Sequence, residues 1–248
     1  MKVLVSGYNG YMGQVLSSMI KKDDELELIC GVDKAINCEG DTIKCFTSFG
    51  DVNIDIDIVV DFSHHSLTKE LIDFGIKKNL PLVIATTGQT DEEKNIIYEA
   101  SKKIPIFYAA NYSIGISVLI EAAKSIIKHM SNADIEIVET HHNRKLDAPS
   151  GTALKIAEGI KDVKPDANFV LGRSGNKKRD KNDVGISAIR LGNVVGKHEV
   201  LVSTEHECIS IKHEAYDRGL FAEGAINAIK FIKGKPAGLY NMKDMLNI

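Results

Sequence analysis

One stretch of the chain concentrates side chains that can exchange protons and bind anions. Four of them lie within five positions: His141, His142, Arg144 and Lys145. A predicted helix then begins with Ser150, Gly151 and Thr152. Cationic side chains and the unpaired N–H groups of a helix N-terminus both bind carboxylates, and histidine transfers protons near neutral pH. The pattern therefore predicts a site for an anionic substrate and an acid–base reaction.

Two other interpretations of this stretch stay open at this point. A metal site would use the two histidines, but the H-E-x-x-H spacing is missing and the neighbouring cations would repel a metal ion. We therefore expect no metal. A solvated loop followed by a capped helix is also compatible with the composition.

A second group of residues follows the first apolar run and indicates a nucleotide site. Gly7, Gly10 and Gly13 have the spacing G-x-x-G-x-x-G. Gly7 permits a tight turn, Gly10 a close approach of the backbone to a pyrophosphate, and Gly13 close packing of helix on strand. Asp33 lies at the end of the second predicted strand, where a carboxylate commonly binds the adenosine ribose. A plain strand-to-helix connection is the alternative, and the position of Asp33 favours the cofactor.

Two further predicted strands end in polar segments. These are Ala85-Thr86-Thr87-Gly88 and Ala109-Ala110-Asn111-Tyr112. The carboxyl ends of parallel strands form the ligand crevice, so their Thr and Asn side chains are candidates to hold the nicotinamide half of a cofactor. Ordinary strand ends that cap the next helix are the alternative. For His64 and His65, which follow another strand, we expect surface or capping roles.

The elements that position these residues divide into two patterns. Strands at 3–6, 26–32, 56–62, 81–86 and 106–110 alternate with helices at 11–22, 66–78 and 91–103, the last with Asp91 as N-cap. This predicts an α/β fold with a doubly wound parallel sheet. Helices at 113–130 and 152–160 and strands at 135–140, 186–191, 199–203 and 208–213 then predict an α+β domain. Residues 173–183 are expected to form an exposed loop, and 219–233 the final helix.

The composition is that of an ordinary globular protein. The 248 residues include 31 Lys and Arg against 34 Asp and Glu, a net charge of -3. This balance does not suggest binding to nucleic acid or to anionic lipid. No apolar stretch is long enough for a membrane span or a signal peptide. The four cysteines lack C-x-x-C spacing, so we expect reduced thiols and a cytoplasmic protein.

The residues of the cationic stretch also resemble a family signature. The run His141-His142-x-x-Lys145-x-Asp147-Ala148-Pro149-Ser150-Gly151-Thr152-Ala153 is similar to that of the dihydrodipicolinate reductases, also called 4-hydroxy-tetrahydrodipicolinate reductases. The glycine turn, Thr86-Thr87-Gly88, Ala110-Asn111-Tyr112-Ser113 and His213-x-Ala215-x-x-Arg218-x-x-Phe221-Ala222-x-Gly224-Ala225 accompany it in the family's order. The resemblance spans nearly the whole chain.

The resemblance implies an NAD(P)H-dependent reductase of the diaminopimelate route to lysine, usually a homotetramer. It implies that residues 1–112 with 221–248 form a Rossmann-type dinucleotide-binding domain, and that 113–220 form an α+β domain for substrate binding and oligomerisation. The reaction would convert (S)-4-hydroxy-tetrahydrodipicolinate, NAD(P)H and a proton into tetrahydrodipicolinate, NAD(P)+ and water. A small cyclic dicarboxylate is also what the cationic loop is suited to bind.

Site residues follow from the resemblance position by position. His141 would be the proton donor or acceptor and Lys145 a proton donor, while His142, Gly151 and Thr152 would bind the substrate carboxylates. The cofactor would contact two groups of residues: Gly7, Tyr8, Asn9, Gly10, Tyr11, Met12 and Asp33, and Ala85, Thr86, Thr87, Ala109, Ala110, Asn111 and Tyr112.

The choice between NADH and NADPH stays open. Asp33 would repel a 2′-phosphate, whereas Lys34 beside it could pair with one. The family usually carries Arg or Lys where Tyr11 stands, so a charged contact to the cofactor phosphates is missing. We therefore expect a preference for NADH.

Two other functions remain as alternatives. A related NAD(P)-dependent amino-acid dehydrogenase would share the two-domain plan and act on a substrate such as 2,4-diaminopentanoate, but the full signature argues against it. A non-catalytic dinucleotide sensor would not need His141 and Lys145 together, and no DNA-binding patch accompanies the cofactor half.

Overall fold

The computed structural model describes residues 1–34 and 43–248. They form two compact units, one of Met1–Tyr112 with Gly219–Ile248 and the other of Ser113–Arg218. Each unit has its own sheet and its own apolar core. No helix in the described ranges is long and apolar enough to cross a membrane.

The first unit is built on a seven-stranded sheet. Its strands are β1 (Lys2–Ser6), β2 (Glu27–Val32), β3 (Lys44–Phe46), β4 (Ile58–Asp61), β5 (Leu82–Ile84), β6 (Pro105–Tyr108) and β12 (Gly238–Tyr240). They pair in parallel in the order β12-β6-β5-β4-β1-β2-β3. Strand β4 is wholly buried, as expected for a parallel sheet covered by helices on both faces. The strand order reverses between β1 and β4, and ligands bind at such a reversal.

The helices of this unit are α1 (Tyr11–Ile20), α2 (Thr68–Lys78), α3 (Asp91–Ser101), α6 (Gly219–Ile232) and α7 (Met242–Leu246). Helix α3 begins with a capping box in which Thr90 Oγ1 accepts from the Glu93 N–H and the Glu93 carboxylate accepts from the Thr90 N–H. The prediction of Asp91 as N-cap is therefore wrong by one residue. Thr90 has the extended backbone that an N-cap requires, whereas Asp91 is already in the first helical turn.

The second unit combines two helices with a five-stranded sheet. Its elements are α4 (Ile114–His129), β7 (Asp134–His141), α5 (Gly151–Lys161), β8 (Asn168–Leu171), β9 (Asp183–Arg190), β10 (Gly196–Ser203) and β11 (Cys208–Ala215). The strand order is β11-β10-β7-β9-β8, with β10 antiparallel to β7 and β11 and with β9 parallel to β7 and β8. One sheet face forms the core with α4 and α5 through residues such as Ile120, Ile137 and Ile156.

The predicted fold, a doubly wound parallel sheet followed by an α+β unit, is confirmed. The prediction omitted β3, β8, β12 and α7, so the helix at Gly219–Ile232 is not the final one. The three omitted strands lie at sheet edges and have three or four residues. So short a run has too few positions to show a two-residue alternation.

The charged segment 173–183 differs from a purely solvated loop. Asp183 is only 3% exposed and begins β9. Arg173 Nη1 contacts Asp183 Oδ2 at 3.2 Å, and Arg179 pairs with both Asp134 and Glu136 of β7. The expectation of an exposed loop is confirmed for most of the segment and is wrong for Asp183, which is buried, and for Arg179, which is half-buried against the carboxylates of β7.

The expectation of reduced thiols is confirmed for two of the three cysteines in the described residues, and Cys38 lies outside them. Cys30 and Cys208 are free thiols, and burial raises the pKa of Cys30 to about 12. Cys45 is disulfide-bonded, so the expectation of reduced thiols is wrong for this residue. Spacing along the chain does not determine which sulfur atoms come within bonding distance.

Candidate active site

The turn after β1 has the backbone geometry of an anion site. Gly7 has a φ of +75°, and a Cβ on this residue would lie 2.5 Å from the Phe62 carbonyl oxygen. A Cβ on Gly13 would lie 2.1 Å from the Gly7 carbonyl oxygen, so the helix packs directly on the turn. Gly10 is the N-cap of α1 and supplies no side-chain cap, and the first turn holds no acidic residue. The first N–H groups of α1 are therefore suited to an anion such as a pyrophosphate.

A cavity of about 290 Å³ opens beside this turn. Its apolar walls include Val32, Phe49, Phe62 and Leu67, and its polar lining includes Asp33, Lys34, Thr47, Ser48 and Glu70. Asp33 Oδ2 accepts a 2.9 Å hydrogen bond from the Asn9 N–H, which ties the carboxylate to the glycine turn. The apolar walls and the two carboxylates suit the adenosine half of a dinucleotide.

Several predicted cofactor residues have buried side chains. Tyr8 is 1% exposed and its ring lies against Gly31, while Tyr112 is 2% exposed and its hydroxyl donates to the Ile84 carbonyl at 2.9 Å. These two side chains belong to the core, which leaves their backbone atoms for a ligand. Tyr11, by contrast, is 62% exposed. Ala85, Thr86, Ala109 and Asn111 are buried at the ends of β5 and β6, whereas Thr87 and Ala110 are exposed.

A buried carboxylate at the end of β4, Asp61, was not among the residues predicted from the sequence. Asp61 accepts hydrogen bonds of 2.6 Å from both Thr86 Oγ1 and Ser63 Oγ. Burial raises its pKa, although these hydrogen bonds oppose the shift. Asp61 therefore links the carboxyl ends of β4 and β5 by a hydrogen bond. The Thr86 hydroxyl, which was expected to face the cofactor, donates to Asp61 instead. Its signal in the sequence was an Asp that directly follows the apolar run Ile58-Val59-Val60.

The histidines after β4 have local roles. His64 Nδ1 accepts from the Ser66 N–H at the start of a short 3-10 turn, His65–Leu67. His65 Nδ1 lies 3.0 Å from Glu93 Oε2. The capping role expected for His64 is confirmed.

The second unit places His141 against a completely buried carboxylate. Glu139 is 0% exposed, and its Oε2 lies 2.6 Å from His141 Nδ1. Arg190 donates to both carboxylate oxygens at 2.9 Å, and the Ser150 N–H donates to Oε1 at 3.0 Å. Burial raises the pKa of the Glu139 carboxyl, but the hydrogen bonds from Arg190, His141 and Ser150 outweigh it and hold the pKa below its ordinary value.

Strand geometry explains this cluster. Glu139 and His141 are two residues apart on β7 and therefore share one face of the sheet. The parallel register with β9 places Arg190 directly opposite His141. Neither Arg190 nor Glu139 was among the site residues predicted from the sequence. The alternation of buried and less buried positions along β7 could have indicated that Glu139 faces the interior. The register of β9 against β7, which places Arg190 beside this carboxylate, cannot be deduced from the sequence.

A second histidine lies behind His141. The rings of His141 and His198 meet edge to face at 5.2 Å, and His198 Nε2 shares a 3.2 Å hydrogen bond with Ser150 Oγ. Ser150 also caps α5, because its Oγ accepts from the Ala153 N–H. Burial, with the nearby charge of His141, lowers the pKa of His198 to about 4, so the ring is neutral at physiological pH. Gly196 leaves room for His141, since a Cβ there would lie 3.1 Å from Nε2.

The predicted substrate residues lie in the loop and helix start that follow β7. His142 Nδ1 is buried and has no hydrogen-bond partner within residues 1–34 and 43–248. Burial and then the charge of Arg144 lower the pKa of His142. Lys145 Nζ pairs with Asp147 Oδ1 at 2.8 Å. Gly151 is exposed at the first position of α5, where a Cβ would meet nothing within 4 Å. A histidine, several cations and the N-terminus of a helix are together suited to hold carboxylates.

Comparison with known proteins follows the same two-part division. A family model described as dihydrodipicolinate reductase, N-terminus, matches residues 1–112, and one described as dihydrodipicolinate reductase, C-terminus, matches residues 115–246. The 4-hydroxy-tetrahydrodipicolinate reductase of Clostridium tetani is 46% identical over 99% of this chain and 97% of its own length. That of Caldanaerobacter subterraneus is 42% identical over 99% and 98%.

A solved structure is similar in fold. Dipicolinate-bound dihydrodipicolinate reductase from Paenisporosarcina sp. TG-14 superimposes with a TM-score of 0.84 and 24% identity, covering 98% of both chains.

The depressed pKa of His198 predicts a pH dependence of stability. Between its ordinary pKa of 6.5 and about 4, the unfolded chain binds a proton at this residue that the folded chain does not. Stability therefore falls as pH falls through this window, by about 3 kcal/mol in total. Urea unfolding at several pH values should show this slope in the wild type and in the exposed-residue control His206→Gln. The slope should flatten in His198→Gln, and an unchanged slope there would refute the assignment.

Proposed function

Because the chain belongs to the dihydrodipicolinate reductase family, we propose that it reduces (S)-4-hydroxy-2,3,4,5-tetrahydrodipicolinate to tetrahydrodipicolinate in the diaminopimelate route to lysine. The reaction consumes NAD(P)H and a proton and releases NAD(P)+ and water. The observation that carries the proposal is His141, oriented by a buried carboxylate and followed by a cationic loop and the N-terminus of α5. This combination is suited to bind a dicarboxylate and to supply the proton that the reduction of its ring consumes.

The first unit would hold the cofactor, which supplies a hydride when bound. The N–H groups at the start of α1 would bind its pyrophosphate, and Asp33 its adenosine ribose. Gly7 to Met12 would contact it largely through backbone atoms, because Tyr8 is buried. The ends of β5 and β6, from Ala85 to Thr87 and from Ala109 to Tyr112, would line the nicotinamide half.

The second unit would hold the ring. Gly151 and Thr152 at the start of α5 would bind one carboxylate through N–H groups, and His142 would donate a further hydrogen bond. A substrate carboxylate would replace Asp147 as the partner of Lys145, which would then act as a proton donor. Since Glu139 occupies Nδ1 of His141, the proton would leave from Nε2. No metal is needed for this chemistry.

An oligomer is proposed from the sheet of the second unit. The face opposite α4 and α5 carries Val138, Ile189 and Leu201, of which Ile189 is 44% exposed. An uncovered sheet face with apolar residues is suited to pairing with another copy. We propose a homotetramer that works in the cytoplasm.

The activity is tested by following cofactor oxidation with substrate freshly made from pyruvate and aspartate semialdehyde. His141→Gln and Lys145→Ala should each lower kcat by about 100-fold or more, because each removes a proton donor. Their dissociation constants for NADH should equal that of the wild type. His206→Gln and Lys181→Ala, at exposed positions, serve as matched controls and should retain full activity.

Two other outcomes would contradict the proposed function or its assignment of residues. No oxidation by a wild type that still binds NADH would favour an amino-acid dehydrogenase with another substrate or a non-catalytic sensor. Loss of NADH binding in His141→Gln or Lys145→Ala would mean that these residues belong to the cofactor site.

We propose NADH as the preferred cofactor. Of the described residues that line the cavity beside the glycine turn, Asp33 and Glu70 are carboxylates and Lys34 is a cation, so a 2′-phosphate would meet net repulsion from them. Tyr11 also offers no positive charge. We expect kcat/KM to be roughly tenfold higher with NADH than with NADPH, about 1.4 kcal/mol, and the ratio to fall in Asp33→Asn. A clear preference of the wild type for NADPH would overturn this choice.

A further inference from the structure

We propose that Glu139 is a positioning residue that decides which nitrogen of His141 carries a proton, and that Arg190 holds Glu139 in the orientation this requires. The inference rests on the proposed function, because it takes His141 as the proton donor of the reduction. It adds Glu139 and Arg190 to the residues on which that step depends. Neither residue is a candidate to contact the substrate in this account.

Among the described residues, three hydrogen bonds to Glu139 come from N–H groups of Arg190 and Ser150, and a fourth joins it to His141 Nδ1. Oε1 accepts from Arg190 Nη2 and from the Ser150 N–H, and Oε2 accepts from Arg190 Nη1 and from His141 Nδ1. Because an ionised carboxylate only accepts hydrogen bonds, Nδ1 of His141 has to carry a hydrogen. The exchangeable proton of the reaction is thereby assigned to Nε2.

Arg190 stabilises the buried carboxylate of Glu139 in the orientation that contacts His141 Nδ1. Its guanidinium forms a two-pronged pair with Glu139, and the carboxylate would otherwise be a buried charge without a counter-charge. Nη2 also donates to the Asp147 carbonyl oxygen at 2.6 Å. The orientation of His141 is therefore linked to the loop that carries Lys145 and Asp147.

The substitution Glu139→Gln has a predictable consequence for the proton on His141. If the amide nitrogen replaces Oε1, it faces two groups that only donate, Arg190 Nη2 and the Ser150 N–H. If it replaces Oε2, it faces one such group, Arg190 Nη1, and can donate to His141 Nδ1. The second orientation has fewer conflicts, and it moves the hydrogen of the neutral imidazole from Nδ1 to Nε2.

Nitrogen-15 NMR of the imidazole nitrogens reads this change directly and needs no turnover. The His141 signals are assigned by their absence in His141→Gln. At a pH where the ring is neutral, the wild type should show the Nδ1–H form and Glu139→Gln the Nε2–H form. In the wild type, the Nε2 hydrogen that the reaction uses is present when the ring is an imidazolium, which carries a hydrogen on both nitrogens. The same form in both proteins would overturn the proposal. Because this result does not depend on catalysis, it stays separate from a failure of the reductase assay.

Steady-state kinetics supply the second readout. Glu139→Gln should lower kcat by about 100-fold, because Nε2–H of a neutral ring is a poor acid, and should change KM by less than about threefold. The matched control Glu136→Gln lies on the same strand, also pairs with arginines and should keep the wild-type kcat. A rise in KM with kcat unchanged would assign Glu139 to substrate binding and contradict a positioning role.

A second variant keeps the proposal testable if Glu139→Gln does not fold. Arg190→Lys retains a positive charge but loses the two-pronged contact. It should keep the Nδ1–H form, because Glu139 remains an acceptor, while kcat falls by roughly tenfold as the ring becomes less firmly held. Loss of the Nδ1–H form with Glu139 present would overturn the assignment.

Discussion

The buried carboxylate of Glu139 is the constraint on which the second unit's site depends. A carboxylate that is 0% exposed is tolerated only when donors surround it, and here they come from β7, β9 and the start of α5. The β7–β9 register, the start of α5 and the orientation of His141 must therefore be correct together. A change in any one of them leaves a buried charge unsatisfied.

The two units build their sites in different ways. In the first unit the backbone supplies the binding groups, because glycines at the end of β1 leave the start of α1 open and allow the helix to pack on the turn. Side chains such as Asp61 and Tyr112 support that backbone from the interior. In the second unit the side chains themselves supply charge and protons. Substitutions that preserve chemistry but change shape should therefore harm the first site more than the second.

Much of the fold and of the two candidate sites could be predicted from the sequence, because the patterns that indicate them are local. The glycine turn, the helix faces and the cationic loop each lie within about 15 consecutive residues, so spacing and residue type identify them. Arg190 is 51 residues from Glu139, and His198 is 48 residues from Ser150, so their contacts depend on strand pairing. The direction of the Tyr8 and Tyr112 side chains and the shortest edge strands also required the three-dimensional structure.

Hydride transfer from the cofactor to the substrate ring is tested most directly by locating the transferred hydrogen in the product. NADH carrying deuterium at both C4 positions is incubated with the protein and freshly condensed substrate, and tetrahydrodipicolinate is analysed by mass spectrometry. The account predicts one deuterium on a ring carbon of the product, appearing only when the protein is present. Oxidation of the labelled NADH without deuterium in the product would contradict hydride transfer to the ring, and with it the proposed function.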